Sequence, residues 1–249
     1  MPKISETDPA SRIYCAIDTP DVARAADLAA RLAGTVGGIK LGLEFFTAQG
    51  PAGVARVQAA APGTDLFLDL KYHDIPNTVA AAMRAAAALG PRIVNVHAAG
   101  GKSMMTAARD AALEGAAAAG KAPPLVIAVT VLTSLDTDDI ELMGVIGGVE
   151  EQVVRLATLA REAGLDGVVC SAREIAPIRR ALGPDFVLVT PGIRPAGSDA
   201  GDQKRVMTPA EAVEAGADYL VIGRPITGAT DPAAAARAIA AGVRGGTRG

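Results

Sequence analysis

Two charges of opposite sign interrupt the apolar run DLFLDLKYHDIPNTV, residues 65–79. Alternate side chains of a strand share a face, so Phe67, Asp69 and Lys71 point one way and Leu66, Leu68 and Leu70 the other. If protein covers both faces, burying an acid and a base is costly unless they are paired or used. Lys40 raises the same problem in GGIKLGL, where it faces away from its neighbours Ile39 and Leu41. A single lysine can snorkel to a rim. Lys40, Asp69 and Lys71 together imply a shared polar centre. Other polar groups also end apolar runs: Asp18 after RIYCAI, Thr133 after LVIAVTVL, Arg194 after FVLVTPG and Arg224 in YLVIGRP. Taken alone, Asp18 is more simply explained as the cap of a turn, and Asp74 serves equally well to start a helix at Ile75-Pro76-Asn77.

The elements that must position these residues alternate regularly. Strands are expected at 12–18, 37–43, 65–71, 92–98, 125–132, 166–171, 186–192 and 219–225. Ala-rich helical stretches separate them, among them DVARAADLAARLAG, TVAAAMRAAAALG and EEQVVRLATLAREAG. Gly34, Gly90 and Gly164 follow the last apolar turn of these helices, as helix C-termini favour. Asp21 and Asp231 stand where helices start. Strand then helix, about eight times in ~250 residues, predicts one (β/α)₈ barrel spanning 1–249, with flexible ends at 1–11 and 243–249. A doubly wound open sheet uses the same units and remains the alternative.

A barrel gathers the ends of its strands at one mouth, and often holds a phosphate with the loops after strands 7 and 8. Those segments read TPGIRPAGSDAGDQKR and VIGRPIT, which set Gly192 near Arg194 and Gly223 beside Arg224. Glycine lets backbone N–H groups approach an anion, and arginine supplies a fixed fork of donors. The polar, small-residue stretch 196–205 reads as a mobile lid. An extra segment, 134–148, has no assigned role.

Composition narrows the function classes. Of 249 residues, 50% are hydrophobic and 3% aromatic, and a net charge of −3 gives no basic field for nucleic acid. No run approaches the ~20 apolar residues of a membrane span, and MPKISETDPASR has no apolar signal region. Cys15 and Cys170 lie inside apolar runs, fitting buried thiols in a reducing cytoplasm. His73 and His97 read as packing or hydrogen-bonding residues, with no metal-like spacing around them.

DLKYHDIPNT resembles the signature of the orotidine 5′-phosphate decarboxylase family, and VTVLTS, VTPGIRP, GDQKR and VIGRP resemble its other blocks in the right order. The resemblance runs from Ile13 to about Ala240 and is nearest the bacterial branch. It implies a cytoplasmic homodimeric barrel, with active sites at the subunit interface and neither cofactor nor metal. The reaction would convert orotidine 5′-monophosphate to UMP and CO₂. On this resemblance Lys40, Asp69 and Lys71 form a charged array completed by Asp74 of the partner subunit, and Lys71 donates the proton to C6. Asp18 and Lys40 would hold ribose hydroxyls, and Ile75 and Thr78 would also bind substrate, Thr78 from across the interface. Thr133 would bond the pyrimidine edge, Gln203 would bridge base and phosphate, and Arg224 with the Gly223 backbone would take the phosphate. Arg194 matches a further substrate contact. The competing expectations are a Mg²⁺-dependent sugar-phosphate decarboxylase or aldolase on the same barrel, and a barrel that binds nucleotide without turnover.

Overall fold

In the computed structural model the described residues are 8–195 and 207–243. The expected lid at 196–205, Gln203, and the terminal stretches 1–7 and 244–249 lie outside them. Asp8 caps a short 3-10 turn, Pro9–Arg12, and Val243 is buried at the other end.

The eight expected strands all form: β1 Ile13–Ile17, β2 Gly38–Gly42, β3 Asp65–Tyr72, β4 Ile93–His97, β5 Leu125–Val129, β6 Gly167–Val169, β7 Val187–Pro191 and β8 Tyr219–Ile222. Each pairs in parallel with the next, and β8 returns to β1 through Ile13↔Leu220, Tyr14↔Val221 and Cys15↔Ile222. That last pairing closes the barrel and removes the open-sheet alternative. The helices are α1 Val22–Leu32, α2 Leu43–Ala60, α3 Pro76–Ala88, α4 Gly101–Ala118, α5 Thr137–Leu142, α6 Val149–Glu162, α7 Ile175–Leu182, α8 Pro209–Ala215, α9 Arg224–Thr227 and α10 Pro232–Gly242. α2 kinks at Gly50, just before Pro51.

The period of two sorts the strand residues into two cores. Tyr14, Ala16, Phe67, Ile93, Ile127, Val189 and Tyr219 fill the barrel, while Ile13, Cys15, Ile17, Ile39, Leu41, Leu66, Leu68 and Leu70 meet the helices. Inside, Tyr14 packs edge-on against Tyr219 and Phe67, with ring centroids 5.2 and 6.5 Å away. Gly38 makes room for that ring, since a Cβ there would lie 2.3 Å from it. Cys15 and Cys170 are free and buried.

Local signals set the helix ends. Asp21 accepts from the Ala23 and Arg24 N–H groups at 2.8 and 3.2 Å, and Asp231 from that of Ala234 at 3.1 Å. Gly34, Gly90 and Gly164 take positive φ after α1, α3 and α6. In the extra segment, Asp136 and Asp139 cap α5 reciprocally, leaving Leu142, Met143 and Ile146 exposed.

One irregularity matters for the site. On β3 and β4, Leu68 pairs with Val94 but Tyr72 with Val96, so Asp69, Leu70 and Lys71 stand opposite Asn95 alone. The extra length is absorbed at Lys71, whose φ of 50° is the only positive value outside glycine among the described residues. For an L-residue that conformation is disfavoured by roughly 1–2 kcal/mol.

Candidate active site

Barrel closure brings the charged residues to the C-terminal mouth, where the alternation of β2 and β3 turns Lys40, Asp69 and Lys71 inward. Lys40 Nζ lies 3.2 Å from Asp69 Oδ2 and donates to Asp18 Oδ1 at 3.4 Å. Lys71 Nζ donates to Asp69 Oδ1 at 2.6 Å. One carboxylate is therefore clasped between two ammonium groups, and it is only 7% exposed. Burial by itself would raise the Asp69 pKa, but Lys40 and Lys71, with hydrogen bonds from Lys71 and Asn95, hold it below the usual carboxylate value. For Lys40, burial works against the charged form and is outweighed by Asp69 and then Asp18, which lift it above the usual lysine value. Lys40 and Asp69 thus each hold the other in its charged form.

Asn95 is a further member of the array that the sequence barely marks. It is fully buried on β4, donates from Nδ2 to Asp69 Oδ1 at 2.7 Å and accepts the Lys71 N–H on Oδ1 at 2.8 Å. Its only signal in the sequence is a polar residue in the middle of the apolar run RIVNVHA.

A cavity of about 560 Å³ opens over the array. Asp18, Lys40, Asp69 and Lys71 line it together with Thr133, Arg194, Gly223 and Arg224, and its apolar wall includes Phe67, Val129, Val131, Leu132 and Val169. Arg194 is buried, and its guanidinium pKa is lowered, first by burial and then by the charge of Arg224. Two guanidinium groups that repel each other at the rim of one cavity make a place for an anion.

The remaining expected residues are placed differently. Asp74, Ile75 and Thr78 are exposed on the lip and do not line the cavity of their own chain. Asp74 does not start α3 as a side-chain cap: the cap position is Ile75, whose N–H donates to Asp74 Oδ1 at 2.6 Å. Nor does Asp18 cap α1, since Asp21 does so and Asp18 meets Lys40 instead. His73 and His97 lie beside each other, ring centroids 5.5 Å apart. His97 is held below the usual histidine pKa by burial, then by His73 and Lys71. Among the described residues, no three His, Cys, Asp or Glu side chains gather as metal ligands would.

Fold and site define a class: a closed parallel barrel whose mouth carries a compensated lysine–carboxylate array facing a pair of arginines. The chain belongs to the orotidine 5′-phosphate decarboxylase / HUMPS family, whose pattern matches residues 11–239. It is 62% identical over 233 residues to orotidine 5′-phosphate decarboxylase of Rhodospirillum rubrum, covering 94% of each chain. It is 61% identical over 231 residues to that of Moorella thermoacetica, covering 92% of this chain and 91% of the relative. Among solved structures, orotidine 5′-phosphate decarboxylase from Lactobacillus acidophilus superposes with a TM-score of 0.82 at 37% identity, over 93% of this chain and 98% of that one. An uncharacterized conserved protein from Geobacillus kaustophilus gives 0.79 at 40% identity, over 93% and 99%.

Proposed function

We propose that this protein decarboxylates orotidine 5′-monophosphate to UMP and CO₂, a step of pyrimidine biosynthesis, and that it is a carbon–carbon lyase working without cofactor or metal. The observation that carries this reading is Asp69 clasped between Lys40 and Lys71 under a cavity rimmed by Arg194 and Arg224. Family membership, with relatives named for this activity, selects the substrate.

Loss of CO₂ from C6 leaves a carbanion that no adjacent carbonyl delocalises as a simple enolate. Without an electron sink, the protein must stabilise that charge electrostatically. The Lys71 ammonium, fixed by Asp69, stabilises negative charge developing at C6 and then protonates it. The proton moves from Nζ to C6, and the neutral amine regains one from solvent. Lys40 and Asp18 hold the ribose hydroxyls, Thr133 the pyrimidine edge, and Arg224 with the Gly223 backbone the phosphate. Arg194 adds a contact, and Gln203 bridges base and phosphate. Binding energy from the phosphate, remote from C6, is available to close the site around the reacting atoms.

The protein acts as a cytoplasmic homodimer that shares its sites, Asp74, Ile75 and Thr78 serving the cavity of the partner subunit. Two facts support this: these side chains stand exposed outside their own cavity, and Ile75 presents a large apolar group that is 66% exposed. Among the described residues no helix is long and apolar enough to cross a membrane.

The deciding experiment follows orotidine 5′-monophosphate loss by absorbance, with and without EDTA. Turnover that the chelator leaves unchanged is expected. Turnover of ketose phosphates alone, abolished by EDTA, would replace this reading with a metal-dependent one, and UMP binding without turnover would leave a nucleotide-binding barrel.

Arg224→Ala tests the phosphate assignment. It should raise KM for orotidine 5′-monophosphate by roughly 10- to 100-fold, as loss of a charged hydrogen-bonding group does. Turnover of the nucleoside orotidine should change much less. Equal losses for both substrates would contradict the assignment.

A further inference from the structure

Three residues of β3 face one of β4 at the level of the charged array, so the β3–β4 ladder has a gap there. Asn95 fills it. Its side-chain carbonyl does what a backbone carbonyl would do in an unbroken ladder, accepting the Lys71 N–H at 2.8 Å, while its NH₂ donates to the side chain of Asp69 at Oδ1, 2.7 Å away. Only this orientation of the amide works, because the reverse would set NH₂ against N–H and oxygen against an ionised carboxylate. The same Oδ1 receives the Lys71 ammonium, and Oδ2 faces Lys40.

We propose that Asn95 is the positioning residue of this site, tying the left-handed backbone of Lys71 to the rotamer of Asp69. One side chain thereby fixes where the proton donor leaves the strand and how its carboxylate partner is aimed. The inference rests on the decarboxylation reading above and adds a residue to it.

Neither hydrophobicity nor volume accounts for asparagine here. β5 offers the neighbouring Ile127, and the barrel beneath is filled by Ile93 and Phe67, so an apolar residue would suit the packing. A buried amide is kept where both its ends have partners. The charged and titratable groups around it are Asp18 from the end of β1, Lys40 from β2, Asp69 and Lys71 from β3, and His97 with His73 beyond.

Two variants test the proposal. Asn95→Ala should lower kcat by roughly 100-fold, the scale expected when reacting groups shift by about an ångström, while the Kd for UMP changes much less. Asn95→Asp makes a sharper test. Two carboxyl groups at this spacing hold one proton between them, with one pKa strongly raised. Asp69 is flanked by two lysines, so the proton resides on the introduced group. Protonated, that group can still accept from Lys71 and donate to Asp69; ionised, it repels Asp69. The activity of Asn95→Asp relative to the parent should therefore be highest near pH 5 and fall at least about tenfold towards pH 8. A purely structural role would lower activity equally at every pH.

Unchanged kcat in Asn95→Ala, or a pH-independent loss in Asn95→Asp, would overturn the proposal. If Asn95→Ala does not fold, Asn95→Asp alone decides. If the parent protein itself fails to decarboxylate orotidine 5′-monophosphate, the functional reading falls separately. The crystal structure of Asn95→Asp at pH 8 then decides this inference: Lys71 leaving its positive φ, or Asp69 turning from Lys40, supports it, and an unmoved array refutes it.

Discussion

Lys71→Ala is expected to fold as the parent does and to lose decarboxylation by about 10⁴-fold or more, the product of a lost electrostatic stabiliser and a lost proton donor. The barrel should survive for reasons visible at the residue. The Lys71 side chain is 27% exposed at the end of β3 and belongs to neither apolar core. Alanine pays the same penalty at φ 50° that lysine already pays, and the Asn95 bond to the backbone N–H is untouched. Asp69 keeps Lys40 and Asn95 as partners, so no buried charge is orphaned. Near-normal turnover in a folded variant would remove Lys71 from the mechanism.

The same variant carries a second signature, in stability against pH. A carboxylate whose folded pKa is depressed contributes stability that is present above its unfolded pKa, about 3.9 for aspartate, and lost as pH falls through the folded value. Lys71 is one of the two cations that depress Asp69. Removing it lets the folded pKa rise towards the unfolded one, so the contribution from Asp69 shrinks and is fully lost at a higher pH. Thermal midpoints measured from pH 7 downwards should diverge least at the acidic end, where Asp69 is protonated in both proteins. Lys40 acts on the opposite limb: its raised pKa contributes stability that is fully present below pH ~10.4 and lost as pH rises through the folded value.

Much of this site is legible in the sequence because side chains alternate along a strand, a pattern that Asp69 and Lys71 keep even though the β3–β4 register shifts there. Once DLFLDLK is a strand buried on both faces, Asp69 and Lys71 must share the face that Leu66, Leu68 and Leu70 leave, and Lys40 obeys the same logic in β2. The arginines of the last two strand ends are legible because a barrel returns β7 and β8 to the mouth that β1–β3 form. Closure itself is not legible. It depends on β1 meeting β8 across nearly the whole chain, and the same βα units also build open sheets. Asn95 is not legible for a related reason. A polar residue in a short apolar run has no meaning until the ladder gap opposite it is known, and that gap depends on how β3 and β4 register. Asp18 and Asp21 show the limit of local signals: both precede α1, and only packing decides that Asp21 caps it while Asp18 meets Lys40.

The lip residues raise a question that activity in mixed subunits can answer. Among the described residues Asp74 bonds its neighbour's N–H, lies outside its own cavity and is exposed, so it has no evident work at the array of its own chain. If it completes the array of the partner subunit, each site takes Lys71 from one chain and Asp74 from the other. Asp74→Ala and Lys71→Ala homodimers should then both be inactive. In a hybrid of the two, one site combines both defects and the other is wholly wild type. Random exchange at equal amounts makes half the dimers hybrid, each with one working site of two, so about a quarter of the parent activity should return. Sites confined to single chains predict no recovery at all, because every site would carry one defect. Exchange demonstrated with differently tagged subunits, but without regained turnover, would return Asp74 to its own chain.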